Sequence, residues 1–214
     1  YAGKETGSDW QLIRQGYTIP PDVDRARLEL VYRWDADGSV YFGGTSFRGG
    51  DPPSSRNVRL ATIHHRPRNT EGPRASVESY GPLIEEACRE GADIVCLPEG
   101  INLVGTGSDY VSVSETIPGT TTGFLGAYAA QHRCYIVAGL LERDGDAVYN
   151  TAVLIDRNGK VAGKYRKLSL PREEIEGGVT PGEHLPVVET DFGTVGMMIC
   201  WDVTFPEVAR HLAM

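Results

Sequence analysis

The sequence has no apolar run near the 18–20 residues that a membrane-spanning helix requires; its longest apolar stretches, such as residues 94–98, are only strand-length. Cysteine is scarce, with four in 214 residues, no Cys-x-x-Cys pair and no histidine spaced to complete a zinc site. Cys88, Cys96 and Cys134 sit in apolar surroundings and read as small buried hydrophobes, and nothing in their spacing asks for a disulfide. Basic residues are outnumbered, 21 Lys and Arg against 29 Asp and Glu, giving a net charge of −8 with no basic stripe. That balance argues against a nucleic-acid partner. No 20–50-residue repeat is present, and the 26 Gly and 13 Pro follow no period, which excludes collagen-like and low-complexity chains. No leader pattern opens the chain at Tyr1, and Met214 falls inside a helical pattern, so a fragment is expected.

What is present divides at residue 56. Residues 26–42 alternate in strand fashion around the turn Asp35-Ala36-Asp37-Gly38, which predicts a β-hairpin. A Gly/Pro/Ser-rich stretch over 48–55 reads as a linker. Residues 1–56 thus form a short β-rich segment, weakly similar to the tail of a jelly-roll, carbohydrate-binding-like module. From residue 57 strands and helices alternate. Strands are predicted at 58–63, 93–97 and 134–141, helices over 69–91 and 122–132, and hairpins over 148–165 and 187–199. The pattern predicts an α/β layered domain with a mixed sheet over 57–214.

Three segments of this domain carry chemistry. Cys200 ends a strand and precedes a helix, where a helix N-terminus would favour the thiolate and backbone N–H groups could hold an oxyanion. Glu99, in Leu97-Pro98-Glu99-Gly100, follows a buried strand, the place where α/β sheets build ligand sites, and could act as a general base. Lys167 ends another strand between apolar neighbours and could hold its ammonium against developing negative charge. Alone, the three read rather as a core cysteine, a solvated glutamate and an exposed lysine.

Taken in order, Pro98-Glu99, Tyr165-Arg-Lys-Leu-Ser-Leu170 and Cys200-Trp-Asp-Val-Thr-Phe-Pro-Glu207 resemble the signature of the nitrilase superfamily of carbon–nitrogen hydrolases. Tyr149-Asn150-Thr-Ala152 and Pro181-Gly182 lie between them. The resemblance covers residues 57–214. It implies an αββα sandwich, here ending before the second sheet is complete, and a homo-oligomer of at least two chains. It further implies Cys200 as nucleophile, Glu99 as general base, Lys167 as oxyanion holder and the Trp201 backbone N–H as partner donor. A second glutamate is implied between lysine and nucleophile; Glu173, Glu174 and Glu176 compete, and Glu174 is preferred. No metal and no organic cofactor are implied. The family's Lys-x-His-Leu reads Lys167-Leu168-Ser169-Leu170 here.

Cys-Trp-Asp-x-x-Phe-Pro-Glu looks more like the amidase and N-carbamoyl-amine hydrolase branches than like true nitrilases, which more often carry Cys-Trp-Glu-Asn. A small linear amide or carbamoyl substrate is therefore expected ahead of a nitrile. A catalytically idle module of the same fold is one alternative. Another is sugar stacking by Trp34, Tyr41 and Phe42 of the first segment. The family default is a cytoplasmic address and a genuine β-module would suit a secreted one; the sequence does not decide.

Overall fold

The computed structural model describes residues 4, 5, 11, 12, 17, 19–25, 27–30, 41–50 and 57–213. The chain divides into two compact units, Tyr1–Arg56 and Asn57–Met214. Among the described residues of the first unit, the regular structure is one antiparallel pair, β1 (Lys4–Glu5) with β2 (Gln11–Leu12). Of the hairpin expected over 26–42, residues 27–30 and 41–42 are not in strands, and Leu28, Leu30, Tyr41 and Phe42 are exposed. A two-stranded ribbon needs something to receive its apolar face, and among the described residues these side chains stay exposed. Trp34 and the turn at 35–38 lie outside the described residues.

The second unit is built on a five-stranded sheet: β3 (Leu60–Thr62), β4 (Ile94–Cys96), β5 (Tyr135–Asp144), β6 (Ala147–Ile155) and β7 (Val161–Arg166), neighbours in chain order. β3, β4 and β5 run parallel, and β5, β6 and β7 run antiparallel. The connections explain the change. Helices carry the chain between the parallel strands, while tight turns join the antiparallel ones.

Helices α1 (Pro73–Glu78), α2 (Gly81–Arg89) and α3 (Thr120–His132) cover one face. Val77, Tyr80, Ile84, Leu125 and Ala129 pack there with Val95, Ile136, Ala138, Leu140 and Val153. The single helix expected over 69–91 is two, because Pro82 has no N–H and its ring would strike the carbonyl of residue 78 in a continuous helix. In the first turn of α2 the same proline is tolerated.

Ile94, Tyr135, Ala152, Leu154 and Tyr165 line the other face, against Met197, Ile199, Val188 and Val195. The last two belong to a hairpin of β8 (Val187–Thr190) and β9 (Gly193–Gly196). Strand alternation turns Val195 inward and Gly196 outward, where an added Cβ would stand 3.1 Å from Leu212 of α5 (Pro206–Ala213). The layers therefore follow one another as helices, sheet, hairpin and helix, the αββα order. Cys96 departs from the expectation of burial. It is exposed on an apolar cleft between the two β-layers, shared with Leu60, Val137 and Met198. Among the described residues no helix is long and apolar enough to cross a membrane.

Candidate active site

Strand direction brings the candidate residues together. β7 runs the same way as β4, with the antiparallel β6 and the strand β5 between them. Glu99, just past β4, and Lys167, just past β7, therefore emerge at one edge of the sheet. Gly139 of β5 makes room: a Cβ there would lie 2.7 Å from the Glu99 Cα. Asn150 of β6 accepts a backbone bond from Lys167 N–H at 2.8 Å and stands between the two. The short helix α4 (Arg172–Glu176) adds Glu174.

The Lys167 Nζ donates to Glu99 Oε1 at 2.8 Å and to Glu174 Oε1 at 2.6 Å. The Asn150 amide donates to the same two carboxylates, at 2.7 Å to Glu99 Oε1 and 3.1 Å to Glu174 Oε2. The lysine side chain is fully buried, that of Glu174 is 8% exposed and that of Glu99 34%. Both oxygens of Glu174 thus hold a donor. In Glu99, both of these donors fall on Oε1, and the charge of the same carboxylate acts on the Cys200 thiol. An ammonium has three N–H bonds, so Lys167 keeps one beyond its two carboxylates.

Burial works to lower the Lys167 pKa, but the hydrogen bonds and charges of Glu174 and Glu99 outweigh it, and the ammonium is raised above its ordinary value. Burial, with the Glu99 charge behind it, pushes the Cys200 thiol up, and Lys167 offsets this only in part. The expectation that a helix N-terminus favours the thiolate is corrected here. Cys200 opens a five-residue 3-10 turn, Cys200–Thr204, beside a cluster holding two carboxylates and one ammonium.

Cys200 has a left-handed backbone, φ 42°, which a non-glycine residue holds only when its surroundings enforce it. Asp202 supplies the restraint. Its fully buried carboxylate accepts from Ile199 N–H at 2.9 Å, Ser169 N–H at 2.9 Å and the Tyr165 hydroxyl at 2.6 Å. The Tyr165 hydroxyl in turn accepts from Leu168 N–H at 3.1 Å. The Cys200 turn is thereby pinned to the segment that bears Lys167, and the same turn holds Trp201 next to the cysteine.

Glu99, Lys167, Cys200 and Glu174 thus converge. Glu173 and Glu176 point to solvent, the latter paired with Arg172 at 2.7 Å. Asn150 and Asp202 had no role in the sequence reading. The signal for Asn150 was a lone amide in an otherwise apolar strand. Asp202 carried none beyond its place in the Cys200 run. Among the described residues no cluster of three or more His, Cys, Asp or Glu could hold a metal ion.

The profile of one family, described as carbon-nitrogen hydrolase, matches residues 60–214. The chain belongs to that family, the nitrilase superfamily that its motifs resemble. It is 39% identical over 163 residues to a protein named nitrilase from Pyrococcus abyssi, covering 73% of this chain and 61% of that one. To omega-amidase NIT2 of Bos taurus it is 33% identical over 140 residues, covering 61% and 51%. The chain thus spans about half to three-fifths of these relatives. An amidase from Nesterenkonia sp. superposes with a TM-score of 0.61 at 23% identity, over 72% of this chain and 59% of that one. Nit3 of Saccharomyces cerevisiae superposes with a TM-score of 0.63 at 25% identity, over 73% and 60%.

Proposed function

We propose that residues 57–214 form the thiol-hydrolase domain of an enzyme that cleaves the non-peptide C–N bond of a small linear amide or N-carbamoyl amine, with residues 1–56 a separate β-rich segment. One observation carries the reading: a buried lysine clamped by Glu99 and Glu174, with the Cys200 thiol under the influence of the Glu99 carboxylate.

Glu99 removes the thiol proton as Sγ attacks the carbonyl carbon, and the π pair moves onto oxygen. The third N–H of Lys167 and the Trp201 backbone N–H receive that oxyanion, a donor of this kind being worth about 3–4 kcal/mol. Collapse of the tetrahedral adduct breaks the C–N bond. The amine leaves with the proton held by Glu99, and a thioester remains on Cys200. Glu99 then deprotonates water, which attacks the thioester and releases acid while the thiol recovers its proton. Glu174, with both oxygens occupied, keeps Lys167 charged and aimed. Asn150 braces both carboxylates. Because the cysteine starts as a thiol, proton transfer accompanies attack and does not precede it.

No metal and no organic cofactor enter this scheme, and self-association into at least a dimer belongs to it; sedimentation velocity tests the latter. A nitrile substrate is the second reading, favoured by the 39% identity to a protein named nitrilase. The amide reading is preferred for the Cys200-Trp201-Asp202 run and the relatives named omega-amidase. The test is ammonia release from linear amides, N-carbamoyl amines and nitriles, measured beside Cys200→Ala. Release from amides or carbamoyl amines that vanishes in the variant is the expected result. Preference for nitriles moves the enzyme to the second reading. A folded protein that releases nothing, with Cys200 inert to iodoacetamide, overturns both and leaves a non-catalytic module.

A further inference from the structure

At the other end of the sheet, away from Glu99 and Cys200, two further cysteines meet. Cys88 lies in the last turn of α2, and Cys134 directly precedes β5. Because β4 and β5 are parallel and pair Ile94 with Tyr135, Cys134 sits by the start of these strands and Glu99 past their end. The two sulfurs are 2.8 Å apart, in hydrogen-bond contact, and both thiols are free. Apolar core residues surround them, Cys134 being 1% exposed, while Cys88 is partly open to solvent. The sequence separation gave no hint of this approach; the packing of α2 on the sheet creates it.

We propose that Cys88 and Cys134 are a dithiol–disulfide pair, a redox modification site separate from the candidate active site, oxidised by a low-molecular-weight disulfide of the glutathione type. Cys88, the reachable partner, attacks one sulfur of the oxidant as thiolate. The oxidant's S–S bond breaks, one small thiol leaves with a proton, and a mixed disulfide stays on Cys88. Cys134, giving up its proton, attacks the Cys88 sulfur and expels the second small thiol. One S–S bond is made and one broken; two electrons and two protons pass from the protein to the oxidant. Burial pushes both thiols up, Cys134 to about 12. Exchange is therefore slow at neutral pH, which makes this a site that equilibrates with its surroundings and not a fast sensor. The bond closes the loop that contains β4, Glu99 and α3.

The test is a peptide map of the whole chain after prolonged equilibration with excess oxidised glutathione. Free thiols are alkylated under denaturing conditions, and the chain is then digested without reduction. The expected result is a peptide pair joined through Cys88 and Cys134, released by dithiothreitol, and a melting temperature several degrees above that of the reduced protein. That difference disappears in Cys88→Ala. The wild-type map needs no folded variant, so it decides the matter even if the substitution unfolds the chain. The proposal fails if Cys134 remains fully alkylatable, if glutathione stays on Cys88 unresolved, or if either cysteine is joined to Cys96 or Cys200 instead.

Discussion

Two buried ion clusters flank the end of β7, one organised around Glu142 and the other around Lys167, and they are built in opposite proportions. Glu142, 1% exposed, receives Arg166 through Nε at 2.9 Å and Nη2 at 2.7 Å, Thr151 Oγ1 at 2.7 Å, and the Lys164 ammonium. Arg166 also reaches Asp144 at 2.6 Å and lies 3.8 Å over the Tyr149 ring. Burial would raise the Glu142 carboxyl, but these cations hold it down to about 2. The Lys167 cluster has one cation for two carboxylates, with Glu99 a third exposed. A carboxylate crowded by donors is locked in its ionised form and braces a sheet. A carboxylate that shares its cation and stays a third exposed is left open to a substrate. On this contrast rests the assignment of structure to one cluster and chemistry to the other.

The largest effect is expected where both are at stake. Lys167→Met leaves Glu174 buried without its cation; ammonia release should fall by about a thousandfold or more, and denaturant titration should show a loss of about 3–5 kcal/mol. Glu142→Gln should separate the two properties, costing about 2–3 kcal/mol of stability while kcat changes only a few-fold. The pH dependence follows from the sign of the shift. A carboxyl lowered by folding stabilises the protein above its unfolded pKa of about 4.3, and that contribution fades as pH falls toward about 2. Unfolding curves from pH 6 to pH 2 should accordingly flatten at their acid end in the variant. A stability loss that does not depend on pH would break the assignment.

Asn150→Ala should act between these extremes. Losing a donor shared by two carboxylates loosens their placement around Lys167, so kcat/KM should fall by about tenfold, with global stability nearly held. An unchanged kcat/KM would reduce Asn150 to packing. The smallest effect runs against the usual expectation for a catalytic base. Glu99→Gln removes the charge that helps to push the Cys200 thiol up, so iodoacetamide should alkylate Cys200 a few-fold faster at pH 8 although turnover is lost. Slower alkylation would mean that Glu99 favours the thiolate at rest.

Most of the sheet was legible in the sequence, because parallel, doubly covered strands such as β4 and β5 read as continuous apolar runs. Glu99 was legible because it closes such a run; Lys167 and Cys200 were legible as members of the ordered motifs Tyr165–Leu170 and Cys200–Glu207. The split between α1 and α2 was missed where a sound apolar period overrode Pro82. Burial of Cys96 was expected from the run around it, which cannot tell which side of a layer is filled. The thiol state of Cys200 was misread for a related reason. Its charge environment comes from Glu99 and Glu174, distant in sequence, whereas the helix that was to activate it was local. Glu174 could be ranked above Glu173 and Glu176 only by resemblance; the fold separates them, since a single turn of α4 turns one inward and leaves its neighbours in water.

The buried carboxylate of Asp202 has a mechanical consequence. Three donors from two chain segments end on one rigid group, so the turn bearing the nucleophile and the segment bearing the cation are bolted together as a bracket. The sulfur is then tied to the five-stranded sheet that carries the ammonium, and not to the β8–β9 hairpin alone. The spacing between attacking atom and oxyanion holder is thereby insulated from the softness of the layer that supports it, and a hairpin of two short strands can carry a site whose tolerances are finer than its own stiffness.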